Sequence, residues 1–434
     1  MIFKGILSLM VLVGALSTHA SDLEIFDLSL EELLAVRVSK SQSYKIFFSN
    51  ENPPTDKSVN IGLIVPFSTY QKYSTELIAA AELAAKDINE NGGVLGRPVV
   101  IIRGDNAATR ELSVSLAKEM IDKYKVAAII TPGSSDYTMS IARDIAIAKN
   151  TPLFAPASNA NILSHIEDND LLFRLAPTNR QITGKLIEFL EKRKLNKVAV
   201  FHERDTFGNE IAGTLQSMLP KIDKKIVYRH SLSHLIDYQL FDMKMNIEEI
   251  QNSGAEAIVL PLRPQLLREF IKNLNRVWKG KMPVLLLPEH QFTNGDIQKS
   301  NRAVCAFAIS PLQEIKNASI LKSINMILKS SRSSYTSVFV NDIVYLVSAS
   351  RLYSELNKLN FIQSLRKITE SEQPILATEL YQNPKSFYSK NEQASFQGGS
   401  GMIHFDQAGD NTVVGLSAIP VHQIYGSGCD KYHD

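Results

Sequence analysis

The chain has 434 residues, of which 44% are hydrophobic and 21% charged. That composition is ordinary for a folded globular protein and excludes a disordered tail or a collagen-like rod. Lys+Arg 47 against Asp+Glu 45 leaves a net charge of +2, without the basic excess of a dedicated nucleic-acid binder, and two cysteines exclude a disulfide-dense or Cys-rich metal scaffold.

Residues 1–20, MIFKGILSLMVLVGALSTHA, place Lys4 before an apolar run from Ile6 to Leu16 that ends in small residues at Ala20. This order is that of a cleavable secretory signal, and the run is too short to span a bilayer. The expectation is an exported, soluble protein located in the periplasm. In that compartment Cys305 and Cys429 can pair as a disulfide; the alternative, unpaired thiols with Cys305 buried in the strand AVCAFAI, stays open. Residues 21–57 read as a leader. Leu28–Leu34 has helical apolar spacing, and a polar linker with Asn52, Pro53 and Pro54 follows. The string DLSLEELLAVRV resembles the segment ahead of the plug in TonB-dependent outer-membrane receptors.

From Val59 the pattern is regular. Val59–Val65 is an apolar run suited to a buried strand, and Ser74–Asn91 carries Leu77, Ala80, Ala81, Ala84 and Ile88 at helical spacing before Gly92-Gly93. Strands follow at Val99–Arg103, Val126–Thr131, Pro152–Ala155, Lys197–His202, Lys225–Tyr228, Ala257–Pro261 and Pro283–Leu287. Between them lie helices at Glu111–Tyr124, Ser135–Lys149, Gln181–Lys194, Phe207–Leu219, Asp242–Ser253 and Gln265–Val277. Strands alternating with helices predict parallel sheets with right-handed crossovers, and so many strands predict two α/β lobes, each doubly wound. After about Ser310 helices follow near Ala318–Lys329, Val340–Leu359 and Phe361–Lys367. The chain ends in two short strands, Met402–Phe405 and Thr412–Val421, joined by a turn.

Enzyme motifs are scarce: GxxxxGK[ST], GxGxxG after a strand, HExxH and GxSxG are all missing, and no nucleophile–base pair is visible. The protein reads as a binding module and not an enzyme, with no cofactor and no metal. His202, Glu203 and Asp205 follow a strand; metal ligation is one reading, a turn capping the helix from Phe207 the other. Small polar residues recur at strand ends. Pro132-Gly133-Ser134-Ser135 opens a helix, where free N–H donors and hydroxyls suit a carboxylate, and Ala157-Ser158-Asn159 repeats the arrangement one strand later.

These residues point to a family. VNIGLIVPFS, AAAELAAKDINENGGVLGRPVVII, TPGSS, TPLFAPASNANILS, FRLAPTNRQ, KVAVFHERDTFGNEIA and HFDQAGD arrive in the order of periplasmic binding proteins of the leucine/isoleucine/valine type, and the resemblance spans roughly 58–425. It implies two lobes joined by three hinge strands, crossing near Leu175–Pro177, Ser310–Pro311 and Gly398–Gly401. The lobes would then be 58–176 plus 311–399, and 177–310 plus 400–434. It implies a ligand carboxylate on Ser134 or Ser135 and on Ala157, Ser158 and Asn159. It also implies a ring from Phe207 in DTFGN and an acidic partner for a ligand ammonium at Glu289 in LLLPEH.

Two departures bear on the ligand. The loop FSTYQKYST lacks the family's usual glycine and can project Tyr70, Lys72 or Tyr73 into the cleft; Tyr73 is taken as the candidate. Arg263 in LPLRPQ stands where an aromatic or small residue is usual; turned into the cleft it favours an acidic ligand, and the alternative is a side chain pointing to the surface. The function implied is capture of a small polar ligand, an amino acid or amide, for delivery to an ABC permease by a monomer without nucleic-acid partners. The alternative is a periplasmic sensor or accessory protein on the same fold, with a sensor protein as partner.

Overall fold

A computed structural model describes residues 45–48, 53–233, 236–237, 241–288, 304–311, 319–327, 334–370, 373–376 and 394–421. The first sheet holds β1 (Lys45–Phe47), β2 (Val59–Val65), β3 (Val99–Asp105), β4 (Ala128–Ile130), β5 (Leu153–Ala155) and β6 (Leu172–Arg174) in the order β1-β3-β2-β4-β5-β6. All neighbours are parallel except β1, which runs antiparallel along β3. Every residue of VNIGLIV in β2 is buried, as a central parallel strand covered on both faces requires. Helices α1 (Gln71–Glu90), α2 (Arg110–Asp122) and α3 (Ser135–Ile141) provide the cover. α1 stops at Gly92-Gly93, where positive φ is needed; a Cβ on Gly93 would stand 2.3 Å from the Arg97 carbonyl oxygen.

The second lobe repeats the plan. α4 (Asn179–Lys192), α5 (Thr206–Met218), α6 (Lys244–Asn252) and α7 (Pro264–Val277) flank β7 (Lys197–Glu203), β8 (Lys225–Leu232), β9 (Ala257–Val259), β10 (Val284–Leu287) and β11 (Cys305–Ser310). α4 begins in a reciprocal capping box between Thr178 and Gln181. The chain then returns to the first lobe through α8 (Ser319–Ile327), α9 (Tyr335–Asn357) and α10 (Phe361–Lys367). α9 is buried almost throughout from Tyr335 to Leu352 and is fastened to α1: Asn341 Nδ2 donates to the Ala80 carbonyl at 3.0 Å, and Tyr345 donates to Asp87. A small sheet of β12 (Gln373–Leu376), β13 (Ala394–Gly398) and β14 (Gly401–Met402) follows. Finally β15 (Ser417–Pro420) closes the second sheet antiparallel to β11, giving the order β15-β11-β10-β9-β7-β8. The architecture is the expected α/β class with two parallel-sheet lobes.

Three details differ from the sequence reading. The third passage between lobes comes later than Gly398–Gly401. Ile403 and Phe405 are still buried in the first-lobe core, Phe405 lies 5.1 Å from the Phe173 ring, and the Arg174 N–H donates to the Gly409 carbonyl at 2.8 Å. The chain reaches the second sheet only at Ser417. Gly398–Gly401 is instead a tight turn whose Gly399 and Ser400 N–H groups donate to Asp342 of α9 at 2.7 and 2.8 Å. The two closing segments meet at the turn, with Phe405 opposite Asn411 in an antiparallel bridge and the Thr412 N–H donating to the His404 carbonyl at 2.9 Å, but they part beyond it: β14 belongs to the small sheet and β15 to the second lobe. The leader also contributes β1, which was read as linker; the helix expected at Leu28–Leu34 lies outside the described residues. Cys305 is disulfide-bonded, and Cys429, the other cysteine, lies outside the described residues. No helix among the described residues is long and apolar enough to cross a membrane.

Candidate functional site

Parallel sheets direct the carboxyl ends of their strands to one edge, where ligands of open α/β folds bind. Here the two such edges meet in a cleft of about 320 Å³, walled by the segments after β2, β4 and β5 on one side and after β7, β9 and β10 on the other.

The first-lobe wall is built of small dipoles. Ser134 is the exposed N-cap residue of α3, and its hydroxyl makes no capping hydrogen bond. The Ser135 hydroxyl accepts from the Ala160 N–H at 3.1 Å, which leaves its own hydrogen to donate. Ala157 is half-buried on the wall. Asn159 lines the cleft but spends its carboxamide N–H on the Pro177 carbonyl at 2.7 Å, binding the wall to the first passage between the lobes. Ser158 corrects the expectation: it is fully buried, donates to the Gly133 carbonyl at 3.2 Å and accepts from Thr138 at 2.7 Å, so its hydroxyl faces the protein and not the cleft. Tyr73 lines the cleft with its hydroxyl on the Pro132 carbonyl at 3.2 Å.

Beneath this wall lies Arg174, 1% exposed. Its Nε donates to Asp410 at 2.6 Å, Nη1 to the Ala160 carbonyl at 2.6 Å and Nη2 to Ser164 at 2.5 Å, while Ser164 donates to Asp410 at 2.7 Å. Each buried charge is thus paired and hydrogen-bonded, as burial demands. The network joins the 157–164 turn to the segment that leads into the third passage.

The second-lobe wall carries charge. Asp205 is the N-cap of α5 and accepts from the Gly208 N–H at 2.7 Å. Burial, then the neighbouring Glu203, pushes its pKa well above the usual carboxylate range. A Cβ on Gly208 would stand 2.2 Å from the Glu203 carbonyl oxygen, so this turn requires glycine. Phe207 lines the cleft just after the cap. Arg263 is the N-cap residue of α7, ahead of Pro264. Its backbone N–H donates to Glu203 Oε2 at 2.7 Å, and both Nε and Nη2 reach Oε1. Burial pulls the Arg263 pKa down, but Glu203 and the Tyr70 hydroxyl outweigh it and hold the guanidinium charged. His202 is fully buried; burial lowers its pKa to about 4, so it is neutral, with Arg229 donating to its Nε2 at 3.3 Å. The capping reading of this cluster therefore holds, and no group of three or more metal-ligating side chains occurs among the described residues. Glu289 lies outside the described residues.

Sequence reasoning did not single out Tyr137. It stands one turn into α3, lines the cleft, donates to the Ala108 carbonyl at 2.5 Å, and burial pushes its phenol above the usual range. Its position just after the nominated serines was the available signal. The lobes also touch directly. Thr206 donates to Asp136, and Glu210 of α5 accepts from the Ile162 N–H at 3.0 Å and from Asn161.

The model of the family described as periplasmic binding protein matches residues 58–289. The Leu/Ile/Val-binding protein homolog 7 of Brucella abortus is 25% identical over 218 residues, covering 48% of this chain and 52% of that one. An amino acid binding protein of Pseudomonas aeruginosa is 26% identical over 181 residues, 41% of this chain and 46% of its own. The chain spans about half the length of the curated relatives it matches. Among solved structures, the branched-chain amino acid transporter substrate binding protein LivJ of Streptococcus pneumoniae, in complex with isoleucine, aligns with TM-score 0.65 at 18% identity, over 84% of this chain and 100% of that one. An ABC transporter solute binding protein of R. palustris, in complex with benzoate, aligns with TM-score 0.67 at 16% identity, over 84% and 95%. At such identities the likeness is one of fold. The family match covers more than half of the chain, and the chain belongs to the periplasmic binding protein family.

Proposed function

We propose that this protein captures a small polar solute between its lobes and delivers it to an ABC permease. The observation that carries the reading is one cavity of about 320 Å³ walled by strand ends of both sheets. That volume suits a small molecule. Contacts such as Thr206–Asp136 across the cleft favour lobes that close on a ligand by hinge motion. Relatives named for amino acids, and fold neighbours solved with isoleucine and benzoate, support a ligand that carries a carboxylate.

In this reading the first lobe runs from 58 to 176 and from Pro311 to about Asn411, with β1 on its sheet edge, and the second lobe takes 177 to 310 and the chain from about Thr412. Ser134, Ser135 and the Ala157 backbone hold the carboxylate, while Tyr73 and Phe207 pack against the ligand body. For an amino-acid or amide ligand, Glu289 takes the ammonium. The cleft binds without chemistry, the protein is a periplasmic monomer exported through a cleaved signal peptide, and a permease is its partner. A second reading, a sensor or accessory protein, draws on the leader: its β1 strand is added to the edge of the first sheet.

Thermal unfolding in the presence of a broad panel of amino acids, amides and small organic acids tests the solute reading. A ligand at about 100 times its Kd adds about 2.7 kcal/mol and raises the Tm. Silence across the whole panel contradicts solute capture. A ligand that binds while the protein docks to no permease favours the sensor.

A further inference from the structure

We infer that Glu210 is a positioning residue for the solute: its carboxylate reaches from the second lobe to fasten the first-lobe turn 157–164, so that one cleft wall is completed from the opposite lobe. This deepens the solute-binding reading and rests on it.

The start of α5 is fixed locally. Asp205 caps it through the Gly208 N–H, and Phe207 lines the cleft beside the cap. Thr206 and Glu210 are four residues apart and share one face of the helix. From that face Thr206 donates to Asp136 in the first turn of α3, next to Ser134 and Ser135. Glu210 reaches the other donor segment. Its Oε1 accepts from the Ile162 N–H at 3.0 Å, and its Oε2 accepts from the Asn161 N–H and, at 3.0 Å, from Asn179 Nδ2. The two first-lobe segments are also tied to each other, because Ser135 accepts from the Ala160 N–H at 3.1 Å. One face of α5 thus meets both segments that carry the first-wall donors.

The bonds run in both directions. Asn161 Oδ1 accepts from the Arg180 N–H of α4 at 2.9 Å, and the Asn159 carbonyl accepts from the Asn179 N–H at 2.6 Å. Both oxygens of Glu210 are engaged, and the buried Asn179 holds the carboxylate in place. Bonds from backbone N–H groups to a carboxylate are among the stronger ones, and removing the acceptor takes it from two N–H groups at once.

The turn is therefore gripped from two sides. Arg174 holds the Ala160 carbonyl at 2.6 Å and Ser164 from within the first lobe, and its partner Asp410 belongs to that lobe too. That grip is independent of how the lobes stand. Glu210 contributes only while the lobes are together. Ala157 and Asn159 of the turn line the cleft, whereas Glu210 does not. It acts on the solute through the turn, so a seated solute and joined lobes favour each other.

Stopped-flow and calorimetric titration of the whole mature protein with the tightest-binding solute of the panel test this. Glu210→Ala should weaken binding about tenfold. The loss should fall on the dissociation rate, with the association rate changed by less than about threefold. Glu210→Gln, which keeps one acceptor oxygen, should lose less, about threefold. Saturating solute should also slow amide hydrogen exchange over 157–164 in the parent, and slow it less in Glu210→Ala. A merely structural Glu210 would lower the Tm of the solute-free protein and leave the dissociation rate unchanged; that result overturns the inference, whatever the Tm. If Glu210→Ala does not fold, Glu210→Gln carries the same test, and exchange in the parent needs no variant: no slowing over 157–164 overturns the inference. A parent that binds with variants that bind equally well overturns this inference alone; silence of the parent across the whole panel removes the reading beneath it.

Discussion

The two cleft walls each contain an arginine–carboxylate pair, and the pairs are built for different ends. Arg174–Asp410 is sealed under the first-lobe wall, with each guanidinium nitrogen directed at a fixed protein acceptor. Glu203–Arg263 sits at the second-lobe wall, with the Glu203 side chain 2% exposed and that of Arg263 40% exposed. The first pair holds a surface of neutral dipoles in shape, and the second is itself part of the surface. The sealed arginine is a structural part, whereas Arg263 lines the cleft.

The largest effect should come from breaking the sealed pair. Arg174→Ala leaves Asp410 buried without its partner and should cost about 3–5 kcal/mol in denaturant unfolding. A loss under about 1 kcal/mol would remove the structural reading of this network.

Next come two buried groups that set the lobes apart by pH. In the first lobe, burial raises the Asp342 pKa to about 6. The native state therefore holds a proton that the unfolded state has released, and this stabilisation is present below the unfolded value and lost as pH rises through about 6. In the second lobe the His202 pKa is lowered to about 4. The unfolded state takes up a proton first, so stability is lost as pH falls from about 6.5 to about 4. Each contribution is about 3 kcal/mol at most. Asp342→Asn and His202→Gln, compared with the parent by unfolding at pH 4, 5, 6 and 7, should change the pH dependence in opposite senses; a change of the same sign would contradict the comparison.

Smaller effects separate neighbouring serines. Ser158→Ala leaves buried Thr138 with a lost partner and should destabilise by about 1–2 kcal/mol while leaving ligand affinity unchanged. Ser134→Ala removes no capping bond and should shift stability by less than about 0.5 kcal/mol, yet weaken the ligand. Thermal melts and titrations on both variants check this; equal behaviour would erase the distinction.

Much of the scaffold was legible locally. β2 and α1 announce themselves through a continuous apolar run and a helical period ending in two glycines. The serines of the first wall were visible as small donors at strand ends. What escaped depends on distant contacts. Arg174 and Asp410 are 236 positions apart, and nothing near Ser158 signals that its hydroxyl turns inward toward Thr138. β1 and β6 have three residues each, too few to display a period of two. The late third passage follows from Ile403 and Phe405 filling the first core, which no local pattern encodes. Arg263 was visible as an oddity, but its restraint by Glu203 was not, because the two belong to different strand ends.

The central claim is that one ligand is held by both lobes at once. It is tested most directly by titrating the best ligand of the panel against Ser134→Ala and Phe207→Ala, one substitution per wall. Ser134→Ala should melt close to the parent and Phe207→Ala lower, because its ring packs against the second-lobe core, and both should bind the ligand about tenfold more weakly or worse. Parent-like affinity in both variants would contradict the claim.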